Sequence, residues 1–125
     1  MCNYEPYTLP EISFIGGSTQ EFVFDNFFDE NGEPFDLTDC TANFAIVCYA
    51  NRSGAPIVSE PMKVLPVNEG ETPNTLYVAL SPGKTINCSP GKYVYQVTIR
   101  DISGECEQMQ GIIYIYKNIN PDFIG

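Results

Sequence analysis

Apolar and polar residues alternate with a period of two along most of this chain, and no stretch sustains a helical period. The alternation predicts short strands separated by turn residues. Glu11 to Ile15 is the first, closed by Gly16-Gly17. Gln20 to Phe28 sets Phe22 and Phe24 against Glu21, Val23 and Asp25, so one face is apolar. Asp29-Glu30-Asn31-Gly32-Glu33-Pro34 then reads as a hairpin tip, with Asn-Gly supplying the positive φ of a primed turn. Thr41 to Ala50 places Phe44, Ile46 and Cys48 on one face, and Asn51-Arg52-Ser53-Gly54 turns the chain. Ile57 to Val67 returns through Pro61 and Pro66, which cannot donate to a ladder and so mark an edge or bulged strand. Thr75 to Leu80 points Leu76, Val78 and Leu80 inward. Gly91 to Asp101 sets Tyr93, Tyr95, Val97 and Ile99 against Val94, Gln96, Thr98 and Arg100. Ile102-Ser103-Gly104-Glu105 is a hairpin loop, and Cys106 to Lys117 returns through Gly111.

About seven strands with a turn every 8 to 12 residues or so predict an all-β protein, an immunoglobulin-like antiparallel β-sandwich of seven to eight short strands. A small barrel is the alternative. The strands occupy one domain, residues 11–117, between an N-terminal arm (1–10) and a C-terminal tail (118–125). Ahead of the Gly91 strand, Ser89-Pro90-Gly91-Lys92-Tyr93 resembles the tyrosine corner of such sandwiches, where a hydroxyl bonds upstream backbone at the crossover between sheets. Tyr93 is the residue assigned. The hydroxyl partners a carbonyl whose unsatisfied burial costs about 1 to 3 kcal/mol. The antibody hallmarks are missing, since the chain has no Trp and no Cys pair on the two central strands.

Composition narrows the chemistry. The 125 residues are 43% hydrophobic and 13% aromatic, enough for a core and far from the signature of disorder. With no histidine, Ser-His and Cys-His nucleophiles and His-ligated metals are excluded. A net charge of −10 argues against phosphate neutralisation in nucleic acids and against docking on anionic membranes. The charge is lopsided: residues 1–51 hold nine acids and no base, whereas residues 52–125 hold seven acids and all six bases. Such asymmetry marks either a solvated acidic rim or a partner surface. The first thirty residues show neither a basic n-region nor a continuous apolar run, so no signal peptide or membrane helix is expected.

Five cysteines (Cys2, Cys40, Cys48, Cys88, Cys106) form no CxxC pair. Cys40 and Cys48, eight residues apart on one strand, would stand roughly 26 Å apart, beyond disulfide reach. Reduced, mostly buried thiols are expected, and a zinc site is not. The acids Asp29, Glu30, Glu33, Asp36 and Asp39 form a candidate acidic surface; as calcium ligands they lack EF-hand spacing, and a solvated hairpin tip is the expected state. Paired carboxylates also raise a glycosidase, but so small a sandwich has little material for a cleft. No catalytic residue, metal or cofactor is expected. Among eight tyrosines, Tyr49 and Tyr77 fall opposite the expected core, and Tyr114 and Tyr116 share one face of the last strand. They serve either ordinary packing or the stacking of sugar rings.

The order of these signals resembles a domain of tailed-phage structural proteins. The residues that carry the likeness are Gly32-Glu33-Pro34-Phe35-Asp36-Leu37-Thr38, Thr41-Ala42-Asn43-Phe44-Ala45-Ile46, Pro90-Gly91-Lys92-Tyr93-Val94-Tyr95, Asp101-Ile102-Ser103-Gly104 and Gly111-Ile112-Ile113-Tyr114-Ile115, within roughly residues 14–116. The chain is similar to the N-terminal immunoglobulin-like domain of phage baseplate upper proteins. The resemblance implies a non-enzymatic virion component of tail, baseplate or head appendage, made in the host cytoplasm and present in several copies. In baseplate upper proteins a further C-terminal segment carries the receptor-binding part. Here the sequence runs from Lys117 to Gly125 without one, so a stand-alone adaptor, decoration or connector is expected. Its partners would be other phage structural proteins or further copies of itself. Apolar residues on the tails, Tyr4, Tyr7, Phe123 and Ile124, are candidate partner contacts, and strand addition at the Pro-broken edge is a second route. The alternative function is a host-surface attachment module that binds carbohydrate through Tyr114 and Tyr116.

Overall fold

A computed structural model describes residues 8–25, 36–51, 54–65 and 73–120. Seven strands form: β1 (Ile12–Ile15), β2 (Gln20–Phe24), β3 (Thr41–Cys48), β4 (Val58–Leu65), β5 (Thr75–Leu80), β6 (Gly91–Arg100) and β7 (Cys106–Tyr116). Two short 3-10 turns, Tyr49–Asn51 and Pro82–Lys84, complete the described elements. The period-two pattern therefore predicted each strand, with the described ends shifted by a residue or two; the expected ends at Phe28 and Val67 lie outside the described residues.

The strands form a single sheet in the order β1-β7-β6-β3-β4-β5-β2 that curls into a half-barrel. The bend lies in β4. Its first part, Val58 to Met62, pairs antiparallel with β3, and its last part, Lys63 to Leu65, pairs with β5. β5 and β2 thereby fold over β3 and β6. Rings meet across the gap, with Phe22 and Phe44 centroids 5.6 Å apart and Phe24 and Tyr95 centroids 5.9 Å apart. The result is an all-β, sandwich-like fold. It pairs β2 with β5 in one layer and β3, β6 and β7 in the other, as strands B–E and C–F–G pair in immunoglobulin-like sandwiches. The end strands β1 and β2 are not paired to each other, so the sheet does not close into a barrel.

The reading of an edge at the proline holds locally. β4 is interior in the strand order, but Val58 to Met62 pairs with β3 alone and β5 joins only from Lys63 onward, so the side of Pro61 away from β3 has no partner to need its N–H. Two expectations are corrected. β2 and β3 are not paired, so residues 26–35 do not join two neighbouring strands of a hairpin; they lie outside the described residues. The sheet is also not wholly antiparallel: β1 runs parallel to β7, with Ile12 opposite Ile113 and Ile15 opposite Tyr116. The first strand thus covers the last, and the two lie far apart in sequence.

The core is what the alternation selected. Phe44, Ile46, Leu76, Tyr95, Val97 and Ile113 are fully buried, each burial contributing about 1.5 to 3 kcal/mol. Leu37, from the segment entering β3, is buried with them. Cys48 departs from its expected inward position and is exposed, because the strand ends there and the chain enters the Tyr49–Asn51 turn. Cys106 is exposed as well, whereas Cys40 and Cys88 are half-buried, so the four described thiols are not mostly buried; Cys2 lies outside the described residues. Burial pushes the Cys40 and Cys88 thiols up, and at Cys40 the neighbouring Asp101, Asp36 and Asp39 add to it. Among these four, iodoacetamide at about pH 8 is expected to alkylate Cys48 and Cys106 well before Cys40 and Cys88, as read by peptide mass spectrometry. Equal rates would contradict the burial described.

Candidate functional site

Four places collect the polar or exposed groups that function can use. The first is the crossover from β5 to β6. There Tyr93, third residue of β6, donates its hydroxyl to the Ser89 carbonyl four residues upstream, the geometry of a tyrosine corner. Burial pushes the Tyr93 phenol up, so it stays a donor. The same crossover places Thr85, the buried polar residue beside the core, where its Oγ1 accepts from Gly17 N at 2.9 Å. Lys84 reaches from it to Glu60 of β4 at 2.6 Å, an ion pair that ties the crossover to the sheet. These contacts fasten β1, β4 and β6 together, and their chemistry is structural.

The second place is the acidic rim. Asp36 and Asp39 are both exposed. Asp36 Oδ1 accepts from Thr38 N at 2.9 Å and from Thr38 Oγ1 at 2.6 Å, which holds its carboxyl below the ordinary value. The bonds close a local turn. Asp39 adopts a left-handed φ of 59°, which Asp tolerates. Asp29, Glu30 and Glu33 lie outside the described residues, as do Tyr4, Tyr7, Phe123 and Ile124. Among the described residues no group of three or more His, Cys, Asp or Glu is placed to hold a metal.

The hairpin between β6 and β7 uses a carboxylate in the same way. Asp101 Oδ1 accepts from Ser103 N (2.9 Å), Ser103 Oγ (2.7 Å) and Glu105 N (3.0 Å), so its carboxyl sits below its ordinary 3.8. A carboxylate that binds its proton more weakly when folded stabilises the loop above the unfolded value and loses that contribution as pH falls through the folded one. The Ser103 and Glu105 amide resonances are therefore expected to hold above pH 3.8 and to shift below it. In Asp101→Ala that acid-side shift disappears; its persistence would contradict the role given to Asp101.

The third place is an apolar patch at the open edge of β1. Ile15 and Tyr116 are register partners, 51% and 55% exposed, and Ile119 follows at 92%. The patch is held in shape: Gly16 N donates to the Tyr116 carbonyl at 2.9 Å, and Asn118 Nδ2 donates to the Gly16 carbonyl at 2.8 Å. The chain beyond β7 is thus pinned beside β1.

The fourth place is the outward face of β3, β6 and β7. In register, Ala45, Gln96 and Gln110 form one row across the strands, and Asn43, Thr98 and Gln108 the next. Gln110 Nε2 donates to Gln96 Oε1 at 2.8 Å, and Gln96 Nε2 donates to Thr98 Oγ1 at 3.0 Å. Above them Val94 stands outside the core cluster yet is only 2% exposed, and the Lys92 ammonium lies 4.1 Å from the Tyr49 ring centroid. Tyr114, opposite Lys92, is half-buried on this face, and Tyr116 extends it. Tyr49 is engaged by Lys92, and Tyr77, half-buried on β5, bonds Glu21 through its hydroxyl, which raises its pKa. Sequence reasoning singled out Tyr114 and Tyr116 but missed the glutamine ladder. Alternation placed each glutamine outward; only the β6–β7 register brings the two amides together.

No protein-family model matches the chain, and no curated protein matches it. Among solved structures it is similar to CopC from Methylosinus trichosporium OB3b, at 12% identity and a TM-score of 0.46, over 88% of this chain and 87% of that one. It is also similar to a putative glycoside hydrolase from Bacteroides vulgatus ATCC 8482, at 14% identity and a TM-score of 0.41. There 88% of this chain covers 17% of the other. At these scores neither likeness bears on function.

Proposed function

We propose that the chain is a non-enzymatic structural or adaptor component of a bacteriophage virion, acting through protein–protein contacts in several copies. The observation that carries the contact is the patch Ile15–Tyr116–Ile119. These are large apolar side chains left in water, on a backbone that the Gly16–Tyr116 and Asn118–Gly16 bonds pin beside β1. Exposed apolar groups grouped in this way mark interaction sites, and a pre-shaped patch loses less entropy on docking than a loose tail. The particle itself is supported by the phage-domain resemblance of residues 14–116. The acids that crowd residues 1–51 would steer a basic partner surface toward the protein.

The test is particle composition. Proteomics of the virions of the phage that encodes the chain should find it, and native mass spectrometry should find it in multimers or bound to a virion protein. Ile15→Ser and Tyr116→Ser, both at exposed positions, are expected to change stability by less than about 0.5 kcal/mol. Each should lower incorporation about tenfold, a modest interface effect. A monomer absent from particles would end the proposal. A second reading, host-surface attachment through carbohydrate, is favoured by the placement of Tyr114 and the Gln96–Gln110 amide pair on the same outward sheet face.

A further inference from the structure

The outward positions of β3, β6 and β7 have a charge pattern unlike the rest of the chain. In a protein of net charge −10 they carry no carboxylate, and their two charges, Lys92 and Arg100, are both positive and stand near opposite ends of β6. Between these ends the face is amide, hydroxyl and aliphatic: Gln96, Thr98, Gln108 and Gln110, with Ile112 beside them and Tyr114 beyond it, while Val94 on the same face is buried. We infer that this face binds an extended, neutral glycan, with the Gln96–Gln110–Thr98 ladder hydrogen-bonding its hydroxyls and Tyr114 packing against a sugar ring. The inference rests on the attachment reading above and names its ligand class and site.

Electrostatics selects the class. The net charge repels anionic polymers at long range, and two separated cations do not offset it. A cationic ligand gains nothing on a face without carboxylates and goes to the acidic residues elsewhere. A neutral, hydroxyl-rich chain meets neither obstacle. The ladder supplies matching chemistry. Its internal bonds orient both amides and leave one N–H on each, the Gln110 Oε1 and the Thr98 hydroxyl hydrogen to pair outward. Sugar hydroxyls donate and accept, so they pair with such an alternating row. Because the amides already bond each other, little side-chain freedom is lost on binding. Tyr114 offers an amphipathic ring with few rotatable bonds. From Gln108 to Tyr114 the strand covers about 20 Å, so the ligand is a chain of several sugars lying along β7.

The experiment is an NMR titration of the isotope-labelled full chain with cello-, malto-, manno- and chitotetraose, and with tetragalacturonate as the anionic arm. The expected result is that at least one neutral tetrasaccharide shifts the Gln96 and Gln110 side-chain amides at millimolar concentration or below, while tetragalacturonate does not. Gln110→Ala and Tyr114→Ala should each weaken that binding about tenfold with unchanged circular dichroism and melting temperature. Gln110→Asn, which shortens the ladder, should weaken it too. Absence of any neutral binding overturns the inference, and so do shifts confined to other surfaces or equal binding of tetragalacturonate. Loss of virion incorporation in these variants without any glycan binding overturns it in favour of a protein partner. Whole-cell adsorption of the labelled chain separates the two levels. Adsorption with shifts away from β3, β6 and β7 leaves attachment standing and removes this site, whereas no adsorption and no titration remove both.

Discussion

Gly111→Ala is expected to destabilise the protein by about 3 kcal/mol, lowering the melting temperature by on the order of 10 °C. Gly111 is the cross-strand partner of Tyr95, and the tyrosine ring lies over it. A Cβ at residue 111 would stand 2.6 Å from Tyr95 Cε1 and Cζ and 2.7 Å from its hydroxyl oxygen, well inside contact distance. The ring cannot retreat cheaply. On its other side it packs on Phe44 and Phe24, at centroid separations of 5.6 and 5.9 Å, and its hydroxyl donates to the Pro10 carbonyl ahead of β1. Alanine therefore either strains the core or breaks the Pro10 bond, leaving a carbonyl without its donor. Thermal unfolding by circular dichroism measures the loss. Tyr95→Leu removes the clashing ring, so the double variant should lose less than the two single losses combined. Additive losses would show that the two residues do not oppose each other as described.

Phe44→Ala should cost about 3 to 5 kcal/mol, a large share of the stability of a domain this size. Phe44 is fully buried on β3 and stands where the two layers meet, with Phe22 at 5.6 Å, Phe24 at 6.4 Å and Tyr95 at 5.6 Å. Its removal leaves a cavity lined by three rings anchored on β2 and β6, which cannot all collapse inward. The expected readout is a lower urea midpoint with an unchanged slope, because the surface exposed on unfolding hardly changes. Phe44→Leu, which refills most of the volume, should recover the greater part of the loss. Equal effects of Leu and Ala would mean that the cluster is not close-packed. Neither Phe44 nor Gly111 belongs to the surfaces proposed for function, so these two variants report on the scaffold. Ile15, Gln110 and Tyr114 report on binding.

The outward face illustrates how far local pattern reaches. Gln96 and Gln110 were each legible as solvent-facing, because a strand sends successive side chains to opposite sides. Their 2.8 Å bond was not, since it depends on residue 96 meeting residue 110 in the β6–β7 ladder. The Ile15–Tyr116–Ile119 patch was hidden for the same reason: its first two members are 101 positions apart in sequence and join only because β1 lies beside β7. The Asp101–Glu105 loop and the Tyr93–Ser89 bond were readable in advance, as both close within four residues.

By itself, then, the sequence determined the seven strands, the residues they turn inward, the hairpin loop and the acidic bias of residues 1–51, all properties carried by near neighbours along the chain. Tertiary structure alone decided that β4 divides its ladder between β3 and β5, that β1 pairs in parallel with β7, and that two glutamines and a tyrosine share an acid-free face. The physical reason is the nature of strand pairing. Alternation states which side of a strand is apolar, but backbone hydrogen bonds are alike at every residue. Only the packing of Phe44, Tyr95 and their neighbours into one core selects which strands become partners.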